Sequence, residues 1–554
     1  MPKGSPTVLP RPPETRVVCL RGFVVLLLSL LFAASAQAQL TLNRYINGSN
    51  AVIPVGSEFP DWFVATNNWV NNGFTNFSGV SVTLALSSVG GGNVFEVGET
   101  AAFLYYNVGD LNEYGEIIYD YDPTNTATAL TNTFVISNPG SFTSPGVDNE
   151  WQLAIENSEF NIGDAILNYW RLILTGDAVT NGTISVGQQG IISASPGYTV
   201  NGATISIVGS GTNGVTVTNS SALTFNGGLT GSGDLNKIGS GTLSVGGNSS
   251  GFTGNFRLNE GSVNLTTNTA LGSGVLIQSN GSSTAVFSGG GTYTQNMSLY
   301  NASFANGGNT LSGSITNNGN GTFTGASGTT NTITGVIRGT GGFTKEGAGT
   351  IMLRGSADNT YSGATVVNAG SLVLSNSGGS AIQSSSSITV NSGGTLVLGA
   401  SNQIGDSINL VLNGGTLLVG ASNLSETLGT LTLNASSTID FGNFGATGLR
   451  QLTFSTNTAN ITWTGTLTIT NWQGVANATS DFTDLIFGVG GLNTNQLAQI
   501  RFANQGNATG TLLGGELVPV PEPQVYAAAL ALLAFVGWRE RKRIASLVGF
   551  SRES

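Results

Sequence analysis

The 554-residue chain contains no histidine and a single cysteine, Cys19. Without imidazole there is no Ser-His-Asp triad and no histidine metal ligand. One thiol cannot close an internal disulfide, so packing and hydrogen bonds must hold the fold. Charge is scarce as well: Asp, Glu, Lys and Arg make up 8% of the chain, against about 25% in ordinary soluble domains. Half of the 18 basic residues sit in two end segments, 1–21 and 539–552. The region between offers no basic patch for a phosphate backbone, which excludes nucleic acid as a partner. Long apolar runs are missing too. The two main ones cover 23–32 and 525–538, both short of the roughly 20 residues that span a bilayer as a helix.

What is present is glycine, 81 residues of it, with Asn, Ser and Thr filling most polar positions. Apolar residues reach 39%, too many for a flexible linker. Polar, uncharged and Gly-rich with regular apolar positions, the chain reads as all-β and extracellular. Its net charge of −11 is uneven: 40–180 holds 15 acids against Arg44 and Arg171, and 181–516 holds 10 acids against 7 bases.

The N-terminus orders Lys3, Arg11, Arg16 and Arg21, then "FVVLLLSLLF", then "AASAQAQ". This is the layout of a secretory signal peptide over 1–38, with Ala36 and Ala38 as its small-residue cleavage site. Residues 39–180 form an acidic β-sandwich in this reading. Trp151, Leu153 and Ile155 share one strand face, a Gly-Asp turn follows at 163–164, and Leu167, Trp170, Leu172 and Leu174 continue. That order resembles the end of the jelly-roll-like domain found beside proprotein convertases. The stretch "DLNEYG" begins like an EF-hand loop but fails at Tyr114 and Tyr121. An irregular calcium site built from Asp110, Asn112, Asp120 and Asp122, with Glu113 nearby, is one reading. A solvated acidic face is the other, and no cofactor is otherwise expected.

From 181 to about 430 short strands recur. Their first apolar residues are Ile184, Ile205, Leu223, Leu243 and Val263, and later Ile351, Leu372, Leu396 and Leu417. A period near 20 with alternating strands predicts a parallel β-helix, because one coil cannot bury its own apolar face and must stack on the next. Between 264 and 350 the register is not legible. Two stretches, 233–268 and 341–379, share a K-x-G-x-G-T core: Lys237, Gly239, Gly241 and Thr242 in one, Lys345, Gly347, Gly349 and Thr350 in the other. Each adds an aromatic-x-Gly, Phe252 with Gly254 and Tyr361 with Gly363. Both resemble the autotransporter-associated β-strand repeat, which implies a passenger-type rod at the cell surface. No series of roughly ten-residue alternating strands, the mark of an outer-membrane barrel, is read here, so self-export by that route is not expected. Lys237 and Lys345 read as corner residues, since no acid partner is common to both copies.

Residues 431–517 read as a β-rich cap that carries Trp463 and Trp472, with an aromatic glycan-binding platform as the alternative. The only close acid pair in 181–516 is Asp481 and Asp484, so a polysaccharide-degrading β-helix is the weaker reading against a non-enzymatic structural or adhesive rod. A glycan-binding module stands between them. The segment 518–545 combines Val520, Pro521, Glu522 and Pro523, a short membrane helix, and Arg539, Arg541, Lys542 and Arg543. A tail of 546–554 follows. The order resembles the PEP-CTERM sorting signal of Gram-negative bacteria. The resemblance implies export through the secretion machinery, a transient stay in the inner membrane, recognition by an exosortase, and delivery to the outer surface or exopolysaccharide matrix. The expected architecture is therefore a jelly-roll-like N-terminal β-sandwich, a parallel β-helix solenoid, a β-rich cap and a short C-terminal membrane helix.

Overall fold

A strand such as Gly370–Leu374 shows how the sequence builds this protein: Leu372 and Leu374 point inward and are fully buried, while Ser371 and Val373 face out. Three or four such residues satisfy half of the backbone polar groups of one coil against the coil below and half against the coil above. The computed structural model describes residues 197–520 apart from 446, 475–478 and 480–481, together with 530–541. Before 197 it describes individual strands from Leu40–Ile53 to Gly190–Ala194.

The solenoid is parallel and turns about three ladders. The first runs from Gly190–Ala194 through Ala203–Thr218 and Leu229–Ile238 to Ile337–Arg338. The second contains 12 strands, from Tyr198–Val200 to Leu431–Ala435, and so rises about 53 Å at one strand spacing per coil. The third begins at Gly291–Tyr293 and ends at Ile500–Phe502. Beyond Arg338 the first ladder loses regular strands but not its hydrogen bonds. Thr360 N donates to Ile337 O, Gln383 N to Asn359 O, and Gly405 N to Ile382 O. This line leads to Leu424–Leu428, which pairs with Arg450–Phe454. Inside, aromatics stack from coil to coil, with Phe323 and Phe343 4.3 Å apart and Phe287 and Phe304 5.5 Å apart.

The β-helix expectation holds, and the structure corrects its register. Ile184 and Ile205 stack on the first ladder, where the next residue up is Leu229, not Leu223. Leu223, Leu243 and Val263 belong to the second ladder. Ile351, Leu372, Leu396 and Leu417 belong to the third. The unreadable stretch is now explained. From Ala285 to Ala302 a coil takes 17 residues, and from Phe323 to Lys345 it takes 22. First-ladder strands there shrink to the pairs Met297–Ser298, Ile315–Thr316 and Ile337–Arg338, too short to leave a period-two signal.

Both ends of the solenoid meet antiparallel strands, which protect open sheet edges. At the start, Leu40–Ile53 pairs antiparallel with Gly190–Ala194 and with Ala165–Ala178. The strands Trp151–Asn157 and Ala165–Ala178 fall in two different sheets rather than one hairpin. At the far end, Thr509–Leu513 and Glu516–Val520 form a hairpin whose second strand touches Ile486 antiparallel. The short helix Thr494–Ala498 is fixed by a capping box between Asn493 and Gln496. Residues 530–541 are helical and exposed. Among the described residues no helix is long and apolar enough to cross a membrane, so the membrane-helix reading of this segment finds no support here.

Candidate functional site

The repeat motif marks a corner between two ladders. Lys345 lies on the second ladder, in register with Phe323 and Val367, where an apolar residue would ordinarily sit. Its side chain is fully buried. The ammonium donates to Glu346 O at 2.8 Å, Gly347 O at 2.6 Å and Ala369 O at 2.9 Å. The lysine thus ties the corner carbonyls of its own coil to the coil above. Gly347 turns with φ +70°, which an L side chain rarely adopts. Gly349 passes so close to the coil below that a Cβ would stand 2.1 Å from Ala326 O. Thr350 then opens the strand on the third ladder.

Lys237 repeats the device one face earlier. It sits on the first ladder between Val217 and Leu258. Its ammonium donates to Ile238 O at 3.0 Å, Gly239 O at 2.6 Å and Glu260 O at 3.4 Å. Gly239 has φ +85°, and a Cβ on Gly241 would meet Ser221 O at 2.2 Å. The same six residues therefore turn the chain from the first ladder to the second in one copy and from the second to the third in the other. Burial pulls both lysines down to about 8, opposed by the nearby carboxylates of Glu260 and Glu346. Three carbonyls occupy each ammonium, so neither lysine is positioned to act as a base on an outside substrate.

The aromatic-x-Gly pairs support the neighbouring corner. Tyr361 is buried, its hydroxyl 2.8 Å from Thr365 Oγ1, which in turn lies 3.0 Å from Ser385 Oγ. Ser385 Oγ donates on to Gly363 O at 2.8 Å. Phe252 is equally buried, and a Cβ on Gly254 would stand 2.0 Å from Gly233 O.

Several buried polar groups give no sequence signal. Where the first ladder has no strands, side-chain amides take over the pairing. Asn376 Oδ1 accepts from Gly355 N, Gln403 Oε1 accepts from Asn376 N, and Glu426 accepts from Gln403 N at 2.8 Å and Ile404 N at 2.9 Å. Burial raises Glu426 to about 7; the two N–H donors pull it down and Asp406 adds to the rise. Because its folded pKa lies above the ordinary 4.5, the folded state binds the extra proton between those pH values. The contribution of Glu426 to stability is therefore full below pH 4.5 and is lost as pH climbs to 7. Chemical denaturation across that window should show a decline of about 3 kcal/mol for the parent and a flatter profile for Glu426→Gln. Equal slopes for the two proteins would remove Glu426 as the cause. Arg450 is also fully buried; it donates to Phe441 O, Gly445 O and Phe482 O and lies over the Phe444 ring. Burial lowers its pKa from the ordinary value.

The tryptophans of the terminal stretch are core residues. Trp463 Nε1 donates to Leu431 O at 3.0 Å, and Trp472 meets Phe441 and Phe502 edge-on at 5.8 and 5.2 Å. Both are buried, which rules them out as an exposed glycan platform. The acid Asp484 lies on Thr483–Ile486, paired with Arg450–Phe454, whereas Asp481 lies outside the described residues. So do Asp110, Asn112, Asp120 and Asp122, as well as Ala36, Ala38, Pro521, Glu522, Pro523, Lys542 and Arg543. Among the described residues no group of three or more Asp, Glu, Cys or His stands ready for a metal. Val520 ends the last strand, and Arg539 and Arg541 lie on the exposed helical run.

Over 197 residues, 35% of its length, the chain is 34% identical to the adhesin BmaC autotransporter of Brucella suis biovar 1 (strain 1330). It spans about 5% of that much longer protein. Residues 235–265 and 343–374 match the family described as passenger-associated-transport-repeat, so the two lysine corners fall within repeats characteristic of autotransporter passengers.

Proposed function

We propose that this chain is an exported, non-enzymatic rod that acts in adhesion or matrix building at the surface of a Gram-negative bacterium. The observation that carries this reading is the long parallel solenoid whose corners are passenger-type repeats. The adhesin relative favours adhesion over catalysis, and a chain without histidine lacks the commonest acid-base group. In this reading 1–38 is a cleaved leader, 39–180 a jelly-roll-like sandwich at one end of the rod, 181–430 the body of the rod and 431–517 a closing module, into which the third ladder continues as far as Ile500–Phe502. The segment 518–545 is a sorting address that an exosortase reads at the inner membrane before release. Val520, Pro521, Glu522, Pro523 and the basic group of Arg539, Arg541, Lys542 and Arg543 support that assignment.

Intact-mass measurement of the protein taken from cell-surface fractions tests the address. The expected species ends near Pro523 and begins after Ala38. Surface protein that still carries residues 525–538 would defeat the sorting reading. Protein found only inside the cell, beyond the reach of protease added to intact cells, would defeat the surface reading altogether.

A further inference from the structure

An open groove of about 250 Å³ crosses the outer side of the first ladder, lined among others by Val275, Asn296, Ser298, Ser314, Thr316 and Arg338. Its axis follows a straight outward row. Ile277 registers with Ser298, Ser298 with Thr316, and Thr316 with Arg338. Three strand spacings give the row a length of about 14 Å. The side chains brace one another along it. Asn296 Oδ1 accepts from Ser314 N at 3.0 Å, and Ser314 Oγ accepts from Arg338 Nη2 at 3.0 Å. The exposed guanidinium is held at one corner, and its remaining N–H groups point a fork of donors outward.

Charge makes this groove unlike the rest of the rod. Between residues 261 and 345 there is no Asp or Glu at all, in a chain of net charge −11. The other cations of the early coils are already engaged: Lys237 and Lys345 by carbonyls, Arg257 by Asp234 at 2.9 Å. Arg338 is thus an exposed cation outside the Arg257–Asp234 ion pair, on coils that carry no Asp or Glu between 261 and 345; the coil above, whose Thr360 N donates to Ile337 O, brings Asp358 at the edge of the stretch. Beside it lie an amide and three hydroxyls at strand spacing, with Val275 as an apolar contact.

We propose that this groove binds an extended acidic polysaccharide, laid across the coils, with a sugar carboxylate on the Arg338 fork and sugar hydroxyls on Asn296, Ser298 and Thr316. A neutral glycan would leave the cation unused, and the net negative charge of the rest of the chain would confine an acidic polymer to this stretch. The proposal deepens the surface-rod reading by naming what the rod meets. Its test uses purified full-length chain, so a failure of binding is distinct from a failure of display.

The probes are polygalacturonate and dextran, in affinity electrophoresis and calorimetry. Expected is retention by polygalacturonate that weakens with added salt, and little by dextran. Arg338→Gln should weaken polygalacturonate binding about ten-fold, the scale of one charge-assisted contact. Arg354→Gln, an exposed arginine outside the groove lining, should bind as the parent does. Thr316→Glu, which places a carboxylate in the groove, should lose binding while its thermal unfolding stays unchanged. Equal retention by dextran, no retention by polygalacturonate, or undiminished binding by both groove variants would each overturn the proposal.

Discussion

Lys345→Ala is expected to destabilise the rod by about 3–5 kcal/mol, the scale for losing one partner of a buried charged network. The alanine leaves Glu346 O, Gly347 O and Ala369 O without their shared donor and opens a cavity beside Phe323 and Val367. In a solenoid each coil touches only its neighbours, so the defect should separate the rod into parts that unfold in two transitions. Denaturant titration followed by hydrogen exchange around 343–374 reads both. Lys345→Met keeps the stem and discards the charge, so it should lose less.

The pH profile separates charge from packing. Folded Lys345 and Lys237 titrate near 8, below the ordinary 10.5. Between those values the unfolded chain holds more protons, so stability rises with pH from 8 upward as the cost of burying the charge is relieved. Tyr293 and Tyr361, both pushed up by burial, stay protonated when folded and reverse the trend above about pH 10. The usable window is therefore pH 8 to 10. Lys345→Met and Lys237→Met should each remove about half of the rise seen there, and the double variant nearly all of it. A parent profile that is flat across this window would mean that the ammonium groups are not buried as described.

The second large effect belongs to a glycine with an ordinary backbone. A Cβ on Gly274 would stand 1.7 Å from Gly254 O, just as one on Gly254 would stand 2.0 Å from Gly233 O. Three coils thus stack glycine on glycine at one corner, with carbonyls where side chains would be. Gly274→Ala must force the coils apart and should cost about 3 kcal/mol or more. Gly281→Ala is the matched control. Its Cβ would find only Tyr300 Cδ1, 3.9 Å away, and reduced freedom of the unfolded chain should leave stability unchanged or raised by up to about 1 kcal/mol. Calorimetric melting of the two variants checks the pair. Similar losses at both sites would show that close approach does not set the need for glycine at 274.

The sequence by itself determined the class of this fold. Short alternating strands at a spacing near 20, in a chain without disulfides or a histidine-bound metal, leave stacked coils as the way to bury one apolar face. It also identified the residues of the corner, because a lysine followed by two alternate glycines recurs in the same frame. It did not determine which face a strand joins. Ile205 and Leu223 read alike in sequence yet lie on different ladders, since inward and outward alternation is identical on every face. Nor did composition distinguish glycines that turn, such as Gly347, from glycines that merely let coils approach, such as Gly274. Only the stacked structure decided these points, because register, close approach and the carbonyl cage around each lysine are set between coils. Residues that meet there are typically 20 or more apart in the chain, beyond the reach of any local pattern.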